Sequence, residues 1–183
     1  MTTLIRTSGG QETPAPGRWT IAPGHPVRCR IGSSLRRHQL TVRSDSGSLL
    51  VTETGGLAFQ MSIAAGTLGD HMAERLAYQS IAIHRGPGDA TWLVDGELLH
   101  RGQAVPARST VLYHGVYRSG PGAIAWLGWH LPMVRLLDGY GRPVRLTMTA
   151  DVNAQAPAEL TRTESGTSFV PLSNRHRDQA GQA

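Results

Sequence analysis

Lysine is absent from this chain. All 18 basic residues are arginine, a usage that a GC-rich genome explains without any task. Cysteine occurs once, at Cys29, so no internal disulfide can form. No window approaches the roughly 18 consecutive apolar residues a bilayer-spanning helix needs, which excludes a transmembrane segment. The stretch from Met1 to Arg18 has no apolar core of a secretory signal, so the chain reads as cytoplasmic. The arginines are scattered singly, without the dense basic run of a nucleic-acid arm, which argues against nucleic acid as a partner. Eight histidines are present, but no His-x-x-x-His, His-x-His or Cys-x-x-Cys pair points to a metal site. There is no Gly-x-Ser-x-Gly elbow and no phosphate loop, because Gly86-Pro87-Gly88 and Gly120-Pro121-Gly122 lack the following helix and lysine. No catalytic residue, no metal ligand and no covalent cofactor is therefore assigned.

The chain is instead rich in turn formers. It has 22 Gly and 11 Pro in 183 residues, with 39% hydrophobic and 17% charged residues, a mixture that argues for many short elements in one core. Residues 1–17 carry no periodicity and read as a flexible leader. Residues 155–183 read as a flexible tail, leaving one domain over 18–154.

Inside the domain the apolar period is two. Leu57, Phe59, Met61 and Ile63 alternate with Ala58, Gln60, Ser62 and Ala64. The same pattern recurs at Val27, Cys29 and Ile31, and at Val144, Leu146, Met148 and Ala150. Further strands are expected at His38 to Asp45, Gly47 to Glu53, Ile81 to Arg85, Ala90 to His100, Ala107 to Arg118 and Ala123 to Leu131. Between them lie turn signals such as Ser44-Asp45-Ser46-Gly47 and Asp138-Gly139-Tyr140-Gly141. Leu68 to Gln79 reads as one short helix with Asp70 as its N-cap.

Consecutive hairpins that each have one apolar face must bury those faces together. A closed up-and-down antiparallel barrel of about eight strands does so while removing exposed edges, with a two-sheet sandwich as the alternative. The fold expected is all-β, a lipocalin-like barrel with one short helix. At about eight strands the bore is either filled by side chains or holds one small ligand.

Three ordered segments carry a family likeness. Gly17-Arg18-Trp19-Thr20-Ile21-Ala22-Pro23-Gly24-His25-Pro26-Val27 is a tryptophan strand, a Pro/Gly-His turn and an alternating strand. Leu40 to Val51 forms a hairpin pattern around Ser46-Gly47, and Trp92 to Ala107 forms a strand-turn-strand pattern around His100-Arg101-Gly102. Together they resemble the YceI-like, lipocalin-related family over about Arg18 to Asn153. The resemblance implies a barrel enclosing a long hydrophobic tunnel for a polyisoprenoid or another lipid. Two departures bear on the ligand: the family's longer central segment is reduced to Gly69 to Leu76, and its Arg-x-x-Phe-Gly ending is missing.

The apolar faces define the expected ligand wall. It comprises Cys29, Phe59, Met61, Ile63 and Trp92, with Val94, Leu98, Trp126, Leu146 and Met148. Trp92 and Trp126 are the leading contacts, since indole gives a large rigid face and Met a pliable one. Arg36, Arg37, Arg101 and Arg135 lie at expected element ends, where guanidinium groups can fork onto an anionic head. The function expected is a carrier for an elongated apolar or amphiphilic molecule, isoprenoid-like, held inside the barrel. A small enzyme on the same barrel, a cyclase or isomerase of a hydrophobic metabolite, is the alternative, with Tyr113 or His114 directed into the bore. A solid barrel serving as an interaction module is the third reading, and a homodimer is compatible with all of them.

Overall fold

A computed structural model describes residues 14–32, 37–64, 75–88, 90–119 and 122–157. Its strands are β1 (Gly17–Ile21), β2 (Pro26–Gly32), β3 (Arg37–Val51), β4 (Leu57–Ala64) and β5 (Arg75–Arg85), followed by β6 (Thr91–His100), β7 (Gln103–Ser119), β8 (Gly122–Leu137) and β9 (Pro143–Gln155). Each strand from β3 to β9 pairs antiparallel with its sequence neighbours, and β2 closes the ring by pairing with both β3 and β9. β1 also pairs with β3 and β9. β1 and β2 are thus two halves of one stave, and among the described residues the barrel has eight staves and no free edge.

The break in that stave explains a difference from the sequence reading. Ser44-Asp45-Ser46-Gly47 is not a turn, because β3 runs unbroken through it with a bulge between Ser44 and Ser46. Pro23 and Gly24 (φ +95) interrupt β1–β2, and β3 stitches the gap. Ser44 exchanges backbone hydrogen bonds with Gly24 and His25, its Oγ accepts from the His25 amide at 3.0 Å, and Arg43 donates to the Gly24 carbonyl at 2.7 Å. The buried Ser44 hydroxyl therefore has a structural task.

The expected helix fails where it can be seen. Arg75 to Gln79 belong to β5, with Leu76 and Tyr78 buried and Arg75 and Gln79 exposed, a period of two. The rest of that stretch, including the Asp70 cap, lies outside the described residues, as do most of the leader and the tail beyond Pro157. β8 also runs past its expected end at Leu131, because a bulge between Leu131 and Val134 takes up Pro132, which has no N–H to give a ladder. Among the described residues, no helix is long and apolar enough to cross a membrane.

At the β8–β9 hairpin, Asp138 is folded inward. Its Oδ1 accepts from the amides of Tyr140 and Arg142, both at 2.9 Å, and its Oδ2 accepts from Arg142 Nε at 3.0 Å. Burial works to raise its pKa, but these donors and the guanidinium charge outweigh burial and hold it below the ordinary carboxylate value.

Candidate functional site

Nine of the ten expected wall residues face the bore. Cys29, Phe59, Met61, Ile63, Trp92, Val94, Leu98, Leu146 and Met148 are all buried, none more than 2% exposed. Trp126 is the exception, standing on the outer face at 46% exposure. β8 is apolar on both parities: Ala125, Leu127, Trp129 and Leu131 turn inward, leaving Ile124, Trp126 and Gly128 on the other face. Trp129 is the inward indole.

The bore is spanned by aromatic rings. Phe59 on β4 and Trp129 on β8, strands on opposite sides of the eight-stave ring, have centroids 6.1 Å apart. Tyr78 on β5 completes the cluster, 6.3 Å from Phe59 and 5.6 Å from Trp129. Its hydroxyl donates to the Val94 carbonyl at 2.8 Å. Trp92 stacks on Tyr113 at 6.0 Å. Tyr78 and Trp129 were not expected in the site, the first because its segment reads as a helix. One buried polar atom here, Trp129 Nε1, has no hydrogen-bond partner among the described residues.

Burial favours the neutral form of Cys29, Tyr78, Tyr113 and His100. Burial pushes the Cys29 thiol up to about 12 and the Tyr78 and Tyr113 hydroxyls above their ordinary value. Burial, aided by the charge of Arg101, lowers His100. His114 is not in the bore: it is the extra residue of a bulge between Tyr113 and Gly115, and it lies on the outer face, 4.6 Å from the Trp126 ring. His130 is likewise exposed, so His100, His114 and His130 do not converge. No three His, Cys, Asp or Glu side chains come together to hold a metal among the described residues.

A second feature lies on the outer face, at the end of the barrel where β2 turns into β3. A groove of about 500 Å³ is lined by Arg30, Ile31, Gly32, Arg37, His38, Gln39, Met133, Arg145 and Thr147. Strand register builds it. Gly32 stands opposite both Arg37 and Arg145, so a position without a side chain forms the floor between two arginines. One rung inward, Arg30 stands between Gln39 and Thr147. The β8 bulge pushes Met133 out, 55% exposed, as an apolar wall. Arg135, next to the groove, stands directly opposite Arg145. Of the arginines the sequence singles out, Arg37 and Arg135 belong to this patch. Arg101 instead lies against Gly139 at the neighbouring turn, and Arg36 is outside the described residues. Arg30 and Arg145 look in the sequence like ordinary outward residues of alternating strands.

No family model matches the chain, and no curated protein matches it significantly in sequence.

Proposed function

We propose that this barrel is a binding protein for a small amphiphile with an anionic head, rather than a catalyst. The arginine groove carries this reading. Arg30, Arg37 and Arg145 bound a concavity that also has apolar surface in Ile31 and Met133, and amphiphile sites combine these two surfaces. Burial pushes the Cys29 thiol up to about 12, so it carries no thiolate nucleophile at neutral pH, which supports binding over covalent chemistry at that residue.

A second reading, an elongated isoprenoid-like guest inside the barrel, is favoured by a separate observation. An unpartnered buried donor costs about 1–3 kcal/mol, and an acceptor atom of such a guest would satisfy Trp129 Nε1. Entry requires Phe59, Tyr78 and Trp129 to part. The resemblance to YceI-like proteins supports this reading, and membership of that family is part of it.

Calorimetric titration with dodecanoate and with dodecyltrimethylammonium, both below their micelle concentrations, tests the first reading. Dodecanoate binding one to one, with the cation failing to bind and the double variant Arg30→Gln/Arg145→Gln losing the interaction, is the expected result. Equal binding of both amphiphiles, or of neither, overturns it. Native mass spectrometry with organic extraction tests the second, which predicts a retained long-chain lipid whose release follows Phe59→Ala.

A further inference from the structure

Several arginines of this barrel have a carboxylate or carbonyl acceptor. Arg28 faces Asp151 at 3.7 Å, Arg75 pairs with Asp45, Arg108 with Asp95 at 2.6 Å and Arg142 with Asp138 at 3.0 Å. Arg43 holds a backbone carbonyl. The groove is built differently. Along one rung, β3, β2, β9 and β8 present Arg37, Gly32, Arg145 and Arg135, and the next rung adds Arg30. Among the described residues, no carboxylate lines the groove, and no acidic residue forms an ion pair with any of these four arginines.

This arrangement opposes folding. Directly opposed side chains have Cβ atoms about 5 Å apart, and like charges there are destabilising. Arg145 and Arg135 are such a pair, with Arg37 one glycine away. The penalty disappears when an anion of matching charge sits among them, and a guanidinium fork matches phosphoryl oxygens two at a time. A singly charged head would leave most of the repulsion in place.

We infer that the groove is a site for a multiply charged phosphoryl group, a phosphate monoester or pyrophosphate, held by Arg30, Arg37 and Arg145 around Gly32, with Arg135 adding to the field. This deepens and rests on the amphiphile reading, in which the same group is the head of the ligand. Gly32 matters because a side chain there would stand between Arg37 and Arg145, where the anion sits. The four arginines lie on four consecutive staves of a closed barrel, so their backbone positions are fixed before the ligand arrives.

The test is calorimetry of the full chain at pH 8 and fixed ionic strength, with inorganic pyrophosphate, inorganic phosphate, dimethyl phosphate, monododecyl phosphate and dodecanoate as probes. Pyrophosphate is expected to bind one to one and at least about tenfold more tightly than the singly charged dimethyl phosphate. Arg145→Gln and Arg37→Gln should each remove about tenfold or more of that affinity, whereas Arg108→Gln, whose partner lies elsewhere, should leave it unchanged. Pyrophosphate binding no better than dimethyl phosphate, or binding indifferent to Arg145→Gln, overturns the inference; dodecanoate still binding in that case leaves the amphiphile reading standing. If pyrophosphate binds as expected but monododecyl phosphate gains nothing over inorganic phosphate, the phosphoryl site stands and the source is a free phosphorylated compound rather than a lipid.

Discussion

Phe59 and Trp129 touch across the full width of the barrel, one on β4 and the other four staves away on β8, with ring centroids 6.1 Å apart. A contact across the diameter couples the two halves of the wall directly, where most core contacts of a barrel join neighbouring strands. Truncating either ring removes that cross-brace and leaves a cavity the closed wall cannot collapse into. Phe59→Ala should therefore cost about 3–5 kcal/mol in urea unfolding. A loss under about 1 kcal/mol would show that the bore is not packed through this pair.

Gly96 makes room for the same cluster. A Cβ at this position would lie 2.3 Å from the Gln79 carbonyl oxygen and 2.6 Å from the Tyr78 hydroxyl. The first is backbone in the paired strand and cannot swing away. Gly96→Ala should destabilise by more than about 2 kcal/mol, in the range of overpacked cores. Adding Tyr78→Phe should not restore stability, since the backbone clash remains. Full rescue by Tyr78→Phe would show that the hydroxyl alone sets the limit.

How far this architecture could be read from residues alone depends on what each face of a strand carries. Where one parity is apolar and the other polar, as at Val27, Cys29 and Ile31 or at Leu146 and Met148, the inward set follows directly from the pattern. β8 carries Ala123, Ile124, Ala125, Trp126 and Leu127 in a row, so both parities are apolar and only closure of the barrel selects Trp129 over Trp126. Tyr78 was hidden by a helical spacing of Met72, Leu76 and Gln79 that its strand neighbours override. The arginine groove is a matter of register: Arg37, Arg135 and Arg145 are far apart in the chain, and only the pairings through Gly32 bring them together.

Arg101 occupies a conformation that suits another residue. It has φ +51 and is followed by Gly102 at φ +73, the two central residues of the turn joining the paired His100 and Gln103. Two successive positive φ angles favour Asn-Gly, and a long side chain in the left-handed region carries strain of roughly 1 kcal/mol. Arg101→Asn should raise the melting temperature by about 2–4 °C. A fall instead would mean that the guanidinium packed against Gly139 contributes more than the backbone strain removes.

Two histidines make the barrel sensitive to mild acid. Burial lowers the pKa of His100, with the Arg101 charge adding to it. Burial also lowers that of His25, against a smaller opposing contribution from the Asn153 backbone. In each case the unfolded chain titrates near the ordinary value of about 6.5 while the folded chain takes up its proton only at lower pH. Between those two values the unfolded state binds more protons, so stability rises with pH there. The contribution of these groups is complete above the unfolded value and is lost as pH falls from about 6.5 toward the folded values. Denaturation midpoints measured from pH 7.5 to 5 should decline well before the carboxylates begin to titrate. His100→Gln, which keeps a polar side chain without the ionisation, should flatten that part of the curve. An unchanged slope in His100→Gln, with His25→Gln equally silent, would show that neither histidine carries the decline between pH 7.5 and 5; the contribution of Asp138, whose pKa is lowered, is present across that window and lost only as the pH falls below the ordinary carboxylate range.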